Sequence, residues 1–290
     1  MTPVVLALVL SAALMHAAWN ALAKRARPAS TSAFVWLCTA ASAALWVPLV
    51  AVYVVLARPA RGLDAVVLAF IVGTAVLHSL YFLALQRGYR DGDLSLVYPL
   101  ARGTGPLLSS IAAVVWLGER PGVLGALGIA AILGGIFLAT GATLRVPHVR
   151  TSVVYGVATG ATIAAYTLWD KHVVAALAFS PILYEVSRSV VQCAVMAPLV
   201  AGRERRAAVM ATWSACRREI AGIAVLSPIA YVLVLFALAQ APVSLVAPAR
   251  EISIVFGALL GARLFGEGDA VRRGAAAALM FGGIVALARA

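Results

Sequence analysis

Five ionisable side chains lie inside stretches that are otherwise apolar enough for a lipid bilayer: Arg102, Glu185, Arg188, Arg250 and Glu251. Each charge near the centre of a membrane helix costs ~2.5–3.5 kcal/mol on insertion scales, so such residues pair with one another or face water. Guanidinium groups grip carboxylate or phosphate through two parallel hydrogen bonds. The arginines therefore predict a polar cavity that binds an anion.

The two strongest anion-binding candidates, Arg102 and Arg250, occur in segments that repeat. SLVYPLARGTGPLLSSIAAVVWLGER begins at Ser95, and SLVAPAREISIVFGALLGARLFGEGD begins at Ser244. Apolar segments interrupted by proline at corresponding positions of two halves point to the binding site of a transporter. We expect both helices to be interrupted and both arginines to face one cavity. The alternative is that each arginine only bonds carbonyl groups freed by the nearby proline.

The acidic residues have two readings. Glu251 follows Arg250 but points about 100° away around a helix, so we expect no simple pair. Glu185 and Arg188 are three residues apart on one helical face and are expected to neutralise each other. In the functional alternative, Glu185 or Glu251 is a proton-coupling carboxylate.

Other polar and aromatic side chains complete the candidate substrate site. In the first helix His16 and Asn20 share a face, which needs polar neighbours rather than lipid. A lone membrane histidine more often bonds a neighbouring helix than a ligand. The further candidates are Trp19, Tyr98 and Tyr166.

The elements that must position these residues are membrane helices. The chain has 290 residues, 63% hydrophobic and 12% charged, whereas soluble domains are about 45–50% apolar and about 25% charged. Since about 20 apolar residues span a bilayer, an all-α integral membrane protein is predicted. The spans are 3–23, 32–56, 65–86, 94–117, 122–141, 152–169, 181–201, 220–239, 243–265 and 271–288.

Internal repetition divides the spans into two halves. Gly134-Gly135-Ile136 recurs as Gly282-Gly283-Ile284, and the break falls near residues 144–150. We expect repeats at 1–143 and 151–290, each with five helices. Since five is odd, the second repeat is inverted in the membrane.

Lysine and arginine in the loops predict the orientation. Fifteen lie in the odd-numbered loops and five in the even loops and at the termini. This places the odd loops in the cytoplasm and both termini outside. The net charge of +12 sits in these loops, so the expected partners are membrane lipids and not nucleic acid. The loop at 202–219 is expected to be long and basic.

Small residues at helical spacing predict close helix packing in the fifth and tenth spans, at Ala130 with Gly134 and Ala278 with Gly282. The same pattern leaves a homodimer open. Three scattered cysteines imply neither disulfides nor a metal site.

The whole chain resembles the EamA branch of the drug/metabolite transporter superfamily. The resemblance rests on the paired halves, Trp19-Asn20 in the first span, and Gly118-Glu119 and Gly266-Glu267 at the ends of the fourth and ninth. The strings HAAWNALAKRA and YPLARGTGPLL look like the subgroup of membrane proteins associated with phosphonate utilisation. The resemblance implies a bacterial inner-membrane location. It is weak for substrate, because the superfamily moves amino acids, nucleobases, sugar phosphates and drugs.

A secondary transporter accounts for these features together. The expected substrate is a small anionic or zwitterionic metabolite, exported or exchanged by alternating access, with proton coupling left open. The alternative is efflux of cationic compounds held by Glu185 or Glu251. A membrane enzyme is a remote alternative, because no nucleophile–base pair or metal motif is visible. No cofactor is expected.

Overall fold

The computed structural model describes residues 1–57, 62–140, 147–256 and 270–290, and these contain helices and no strands. Within these residues, the helices agree with the ten predicted spans in order and, with the exceptions below, in extent; residues 257–265 of the ninth predicted span lie outside them. They are α1 (Pro3–Arg25), α2 (Thr31–Ala57), α3 (Ala65–Asp91), α4 (Leu94–Leu117), α5 (Gly122–Thr140), α6 (Val149–Lys171), α7 (Pro181–Met196), α8 (Arg203–Gln240), α9 (Val243–Ala249) and α10 (Ala270–Arg289). A π-helical turn, His172–Ala176, follows α6.

Several of these helices begin where the sequence provides a cap. The hydroxyl of Thr2 accepts a hydrogen bond from the backbone N–H of Val5 at 3.3 Å, and Pro3 occupies the first turn. The carboxylate of Asp64 accepts from the N–H of Val67 at 2.8 Å. Such caps satisfy N–H groups that have no partner within the helix.

The expectation of a long basic loop at 202–219 is wrong. These residues form the first half of α8, which bends at Cys216, where φ is −125° and ψ is 18°. Buried Thr212 accepts a hydrogen bond from the backbone N–H of Ser30 at 3.3 Å. The arginine-rich turns therefore pack on the connection between α1 and α2.

The expected interruption of the fourth span is also wrong. Helix α4 runs without a break through Pro99 and Pro106, since a membrane helix tolerates the loss of single backbone hydrogen bonds when neighbouring groups compensate. The ninth span does change character: after Pro248, Arg250–Ile252 form a 3₁₀ turn before residues 253–256 become helical again. The second copies of the Gly-Glu motif, Gly266 and Glu267, lie outside the described residues.

Contacts between helix ends show how the chain alternates across the bundle. One end, which we call the terminal face, joins Met1 N to Ala288 O (3.1 Å), Glu119 Oε1 to Val243 N (2.7 Å), Lys171 Nζ to Ala241 O (3.0 Å) and Tyr53 Oη to Ser180 Oγ (3.5 Å). The opposite face holds the contact of Ser30 with Thr212 and that of Asp93 with the N–H of His148. Both termini are therefore on one side, as the odd and even loops predict.

The packing of the bundle pairs helices from the two halves of the sequence. Helix α1 packs on α8 and α6 on α3, while α5 packs on α10 and α2 on α7. In the α5–α10 contact the close approach is made by Gly135 and Gly283, which are buried. The predicted Gly134 and Gly282 are exposed instead, because each lies one residue, or about 100°, further around its helix.

Six described helices are long and apolar enough to cross a membrane: α1, α2, α3, α4, α5 and α8. Large apolar side chains such as Val55, Leu56, Trp116 and Val123 are exposed on their outer surfaces. In a bilayer this surface meets lipid, so its exposure costs little.

Candidate functional site

A cavity of about 520 Å³ opens between the helices. Its walls come mainly from α1, α2, α3, α7 and α8, and α4, α6 and the 3₁₀ turn contribute Arg102, Tyr166, Arg250 and Glu251. The cavity extends to Pro28 and Thr31 in the connection between α1 and α2. The cavity therefore reaches the face of the bundle that is opposite the terminal face.

Glu251 lies between the two candidate arginines. Its Oε2 is 3.0 Å from Arg102 Nε and its Oε1 is 3.3 Å from Arg250 Nε. The expectation that Glu251 would not pair with Arg250 is wrong, because the 3₁₀ turn and the long side chains bring neighbouring residues together. The contact with Arg102 is an ion pair without an aligned hydrogen bond, since neither Arg102 Nε nor Glu251 Oε2 has a hydrogen-bond partner of good geometry. One carboxylate thus serves two guanidinium groups.

The two arginines differ in how far their donors are used. Arg102 Nη2 contacts Ser253 Oγ at 3.1 Å and His16 Nε2 at 3.4 Å. Arg250 lies with its guanidinium carbon 6.0 Å from the centre of the Tyr166 ring, a cation–π distance. Within the described residues, Arg250 makes a hydrogen bond only through Nε, to Glu251. Within the same residues, its terminal nitrogens have no hydrogen-bond partner.

Glu185 and Arg188 form the expected ion pair. Arg188 Nε and Nη2 lie 2.7 and 2.5 Å from the two carboxylate oxygens of Glu185, and Nη1 also donates to Gln192. Both oxygens of Glu185 are therefore engaged. The pair still lines the cavity, where the Arg188 guanidinium lies 5.8 Å from the centre of the Tyr231 ring.

The charges on the cavity wall do not cancel. Among the described lining residues there are three arginines and two glutamates. In a region of low dielectric constant, an uncompensated guanidinium is costly and favours an anionic guest.

The predicted residues of α1 lie on the wall of the cavity. The rings of His16 and Trp19 are in edge contact with centres 4.8 Å apart, and Asn20 Nδ2 donates to the carbonyl of His16 at 2.7 Å. Asn20 therefore bonds the backbone of its own helix. Of the ten candidate residues, Tyr98 is absent from the lining and the other nine contribute to it; their role in binding stays a prediction.

Sequence reasoning missed an aromatic cluster deep in the cavity. His78 stacks on Tyr166 with ring centres 4.1 Å apart, and Tyr231 meets both rings edge-on. No signal in the sequence brings α3, α6 and α8 together at this height.

A second missed residue is Asp170, which the sequence places at the end of a span. It is fully buried. Its Oδ1 accepts a hydrogen bond from the hydroxyl of Tyr184 at 2.6 Å, and its Oδ2 accepts one from the hydroxyl of Tyr231. This carboxylate joins α6, α7 and α8 directly behind the cavity wall.

Together the fold and the site define a helical membrane protein with a cavity that contains charged side chains and reaches the face opposite the terminal face. Residues 4–141 match the EamA-like transporter family, which belongs to the drug/metabolite transporter superfamily. The match and the apolar helices indicate an integral membrane protein of the transporter class. Among curated proteins, none matches this sequence.

One solved crystal structure, described only as that of a protein, has the same fold. It superposes with a TM-score of 0.71 over 97% of each chain, at 16% sequence identity. At this identity the likeness concerns the fold alone.

Proposed function

We propose that this chain is a secondary transporter of a small anionic or zwitterionic metabolite. The observation that carries the proposal is Arg250, which lines the cavity. Among the described residues its terminal nitrogens have no hydrogen-bond partner, and its carboxylate partner, Glu251, is shared with Arg102. A carboxylate or phosphate on the substrate would complete the coordination of both guanidiniums.

Alternating access between two inverted repeats is the proposed mechanism. The pairing of helices supports it: if α1 corresponds to α6 and α3 to α8, the contact of α1 with α8 maps onto that of α6 with α3. The self-matching contacts of α5 with α10 and α2 with α7 fit the same twofold axis. Rocking of the halves would then expose the central site to each side in turn.

The direction we propose is export or exchange across a bacterial cytoplasmic membrane. The cavity reaches the face that holds the odd-numbered loops, which carry most of the lysines and arginines. Such loops are cytoplasmic under the positive-inside rule. The conformation described here would then load its substrate from the cytoplasm.

Transport by purified protein in proteoliposomes tests the substrate class. We expect a radiolabelled panel of carboxylates, phosphate esters, amino acids and organic cations to yield an anionic or zwitterionic substrate. Arg102→Lys and Arg250→Lys should each slow its transport about ten- to a hundredfold, because lysine cannot replace a bidentate charged contact worth about 1.5–3 kcal/mol.

The matched control is Arg217→Lys, which changes an exposed arginine on α8 away from the cavity and should transport at the wild-type rate. Selective transport of cations, or normal anion transport by both cavity variants, would contradict the proposal. The cationic alternative has less support, because Glu185 and Glu251 are each already engaged by arginine.

A further inference from the structure

We propose that Asp170 is the site at which this transporter binds and releases a proton. The proposal rests on the transporter function above and replaces the expectation that Glu185 or Glu251 has this role. Glu185 and Glu251 each form an ion pair with an arginine. Among the described residues, Asp170 makes no ion pair; its hydrogen bonds come from the neutral phenols of Tyr184 and Tyr231.

A proton can reach Asp170 from the cavity. Tyr231 lines the cavity, and its hydroxyl donates a hydrogen bond to Asp170 Oδ2. A second connection runs through His78, which also lines the cavity and whose Nδ1 is 3.2 Å from the hydroxyl of Thr74. Thr74 in turn faces Asp170. The carboxylate is thus buried without being cut off from cavity water.

The charged and titratable groups around Asp170 lie on α3, α6, α7 and α8. On α7 these are Tyr184, Arg188 and Glu185, of which the last two are paired with each other. On α8 and α3 they are Tyr231 and His78. On α6 itself, Lys171 is directed away, since its Nζ donates to the carbonyls of Leu238 and Ala241 at 2.6 and 3.0 Å.

Proton binding at this site would act on the part of the bundle next to the terminal face. Asp170 lies one residue before Lys171, which is at the terminal face, and it ties α6 to α7 and α8. When the carboxylate accepts a proton from cavity water it becomes a neutral acid. It then attracts the two phenol groups less strongly, because hydrogen bonds to an ionised acceptor are roughly twice as strong as neutral ones. The hydrogen bonds that hold α6 to α7 and α8 near the terminal face are then weakened.

Infrared spectroscopy of the purified full-length protein tests this without knowledge of the substrate. As the pH is lowered, we expect a carbonyl band of a buried protonated carboxyl group to appear. The band should be lost in Asp170→Asn and retained in Glu185→Gln and Glu251→Gln. A carboxyl band that persists in Asp170→Asn, or none at any pH at which the protein stays folded, would overturn the proposal.

Because Asp170→Asn could fail to fold, a second measurement uses wild-type protein labelled with ¹³C at the aspartate carboxyl group. The band should move to lower wavenumber, which separates aspartate from glutamate. Tyr231→Phe should change its frequency, whereas Tyr81→Phe, which removes a cavity hydroxyl not bonded to Asp170, should not. A band that is insensitive to the label or to Tyr231→Phe would assign the proton elsewhere. Such a failure would leave the anion-transport proposal standing.

Discussion

At the scale of single residues, the described part of the site is built from carboxylates with arginine or tyrosine partners. Glu251 lies between two arginines, Glu185 pairs with one arginine, and Asp170 accepts hydrogen bonds from two tyrosines. Buried charges are tolerated when they are paired and costly when one partner is removed. A substrate anion would enter where the pairing is incomplete, next to Arg250.

Glu119 has a structural role that its neighbours in the sequence do not indicate. It ends the Gly-Glu motif after α4, yet its oxygens accept hydrogen bonds from the N–H groups of Val243 and Ser244 and from the hydroxyl of Ser244, at 2.6–2.8 Å. Its negative charge therefore caps the start of α9, in the other half of the chain.

We expect Glu119→Ala to lower the free energy of unfolding by about 1–3 kcal/mol, because three donors lose a charged acceptor. Thermal unfolding of the purified protein in detergent measures the loss. The stability of Glu119→Gln should lie between that of Glu119→Ala and that of the wild type. Glu204→Ala, at an exposed position in the first turn of α8, provides the control. Equal stability of the two alanine variants would refute the capping role.

At the scale of helices, backbone contact decides which glycines matter. A Cβ atom at Gly283 would lie 2.8 Å from the carbonyl oxygen of Gly128, and one at Gly128 would lie 2.9 Å from the carbonyl oxygen of Gly283. The two helices α5 and α10 therefore touch through their main chains. At Gly282 a Cβ would meet nothing within 4 Å.

Gly283→Ala should accordingly destabilise the protein by about 1–3 kcal/mol, the usual cost of overpacking. Gly282→Ala is the matched control in the next position of the same helix and should unfold at the wild-type temperature. Thermal melts of both variants in one detergent compare them directly. A larger loss of stability in Gly282→Ala than in Gly283→Ala would contradict the close contact of Gly283 with α5.

At the scale of the whole molecule, the contacts between helix ends and the extent of the cavity predict from which side of the membrane a reagent can reach a given residue. Asn20 is exposed on the cavity wall, which extends to the opposite face. Ala176 is exposed in the turn after α6, close to Lys171 at the terminal face.

In a variant without cysteine (Cys38, Cys193 and Cys216 each changed to serine), Asn20→Cys should react with a membrane-impermeant thiol reagent applied from the cytoplasmic side. Ala176→Cys should react from the outside. Inside-out vesicles and intact cells supply the two arrangements. Reaction of both cysteines from the same side would contradict the ten-span alternation. If Asn20→Cys reacted only from the outside and Ala176→Cys only from the cytoplasm, the alternation would hold but the proposed orientation in the membrane would be wrong.

The sequence by itself determined the features that depend on composition and on local pattern. Apolar runs of membrane length predicted the helices, and the repeated arginine segments and the i, i+3 pair of Glu185 with Arg188 predicted charges at the cavity. Local spacing was enough to predict these features, because each depends on residues within one helix or on a match between two sequence segments. The inverted relation of the two halves stays a prediction.

Only the tertiary structure decided which groups from different helices meet. Asp170 accepts from tyrosines 14 and 61 residues further along the chain, and Glu119 caps a helix 124 residues away. Arg102 reaches Glu251 across the two halves. Periodicity reports which face of a helix is polar, but the neighbour that each face receives depends on how all the helices pack together. The partners of these buried charges, and hence the site that remains open for a ligand, therefore follow from the packing alone.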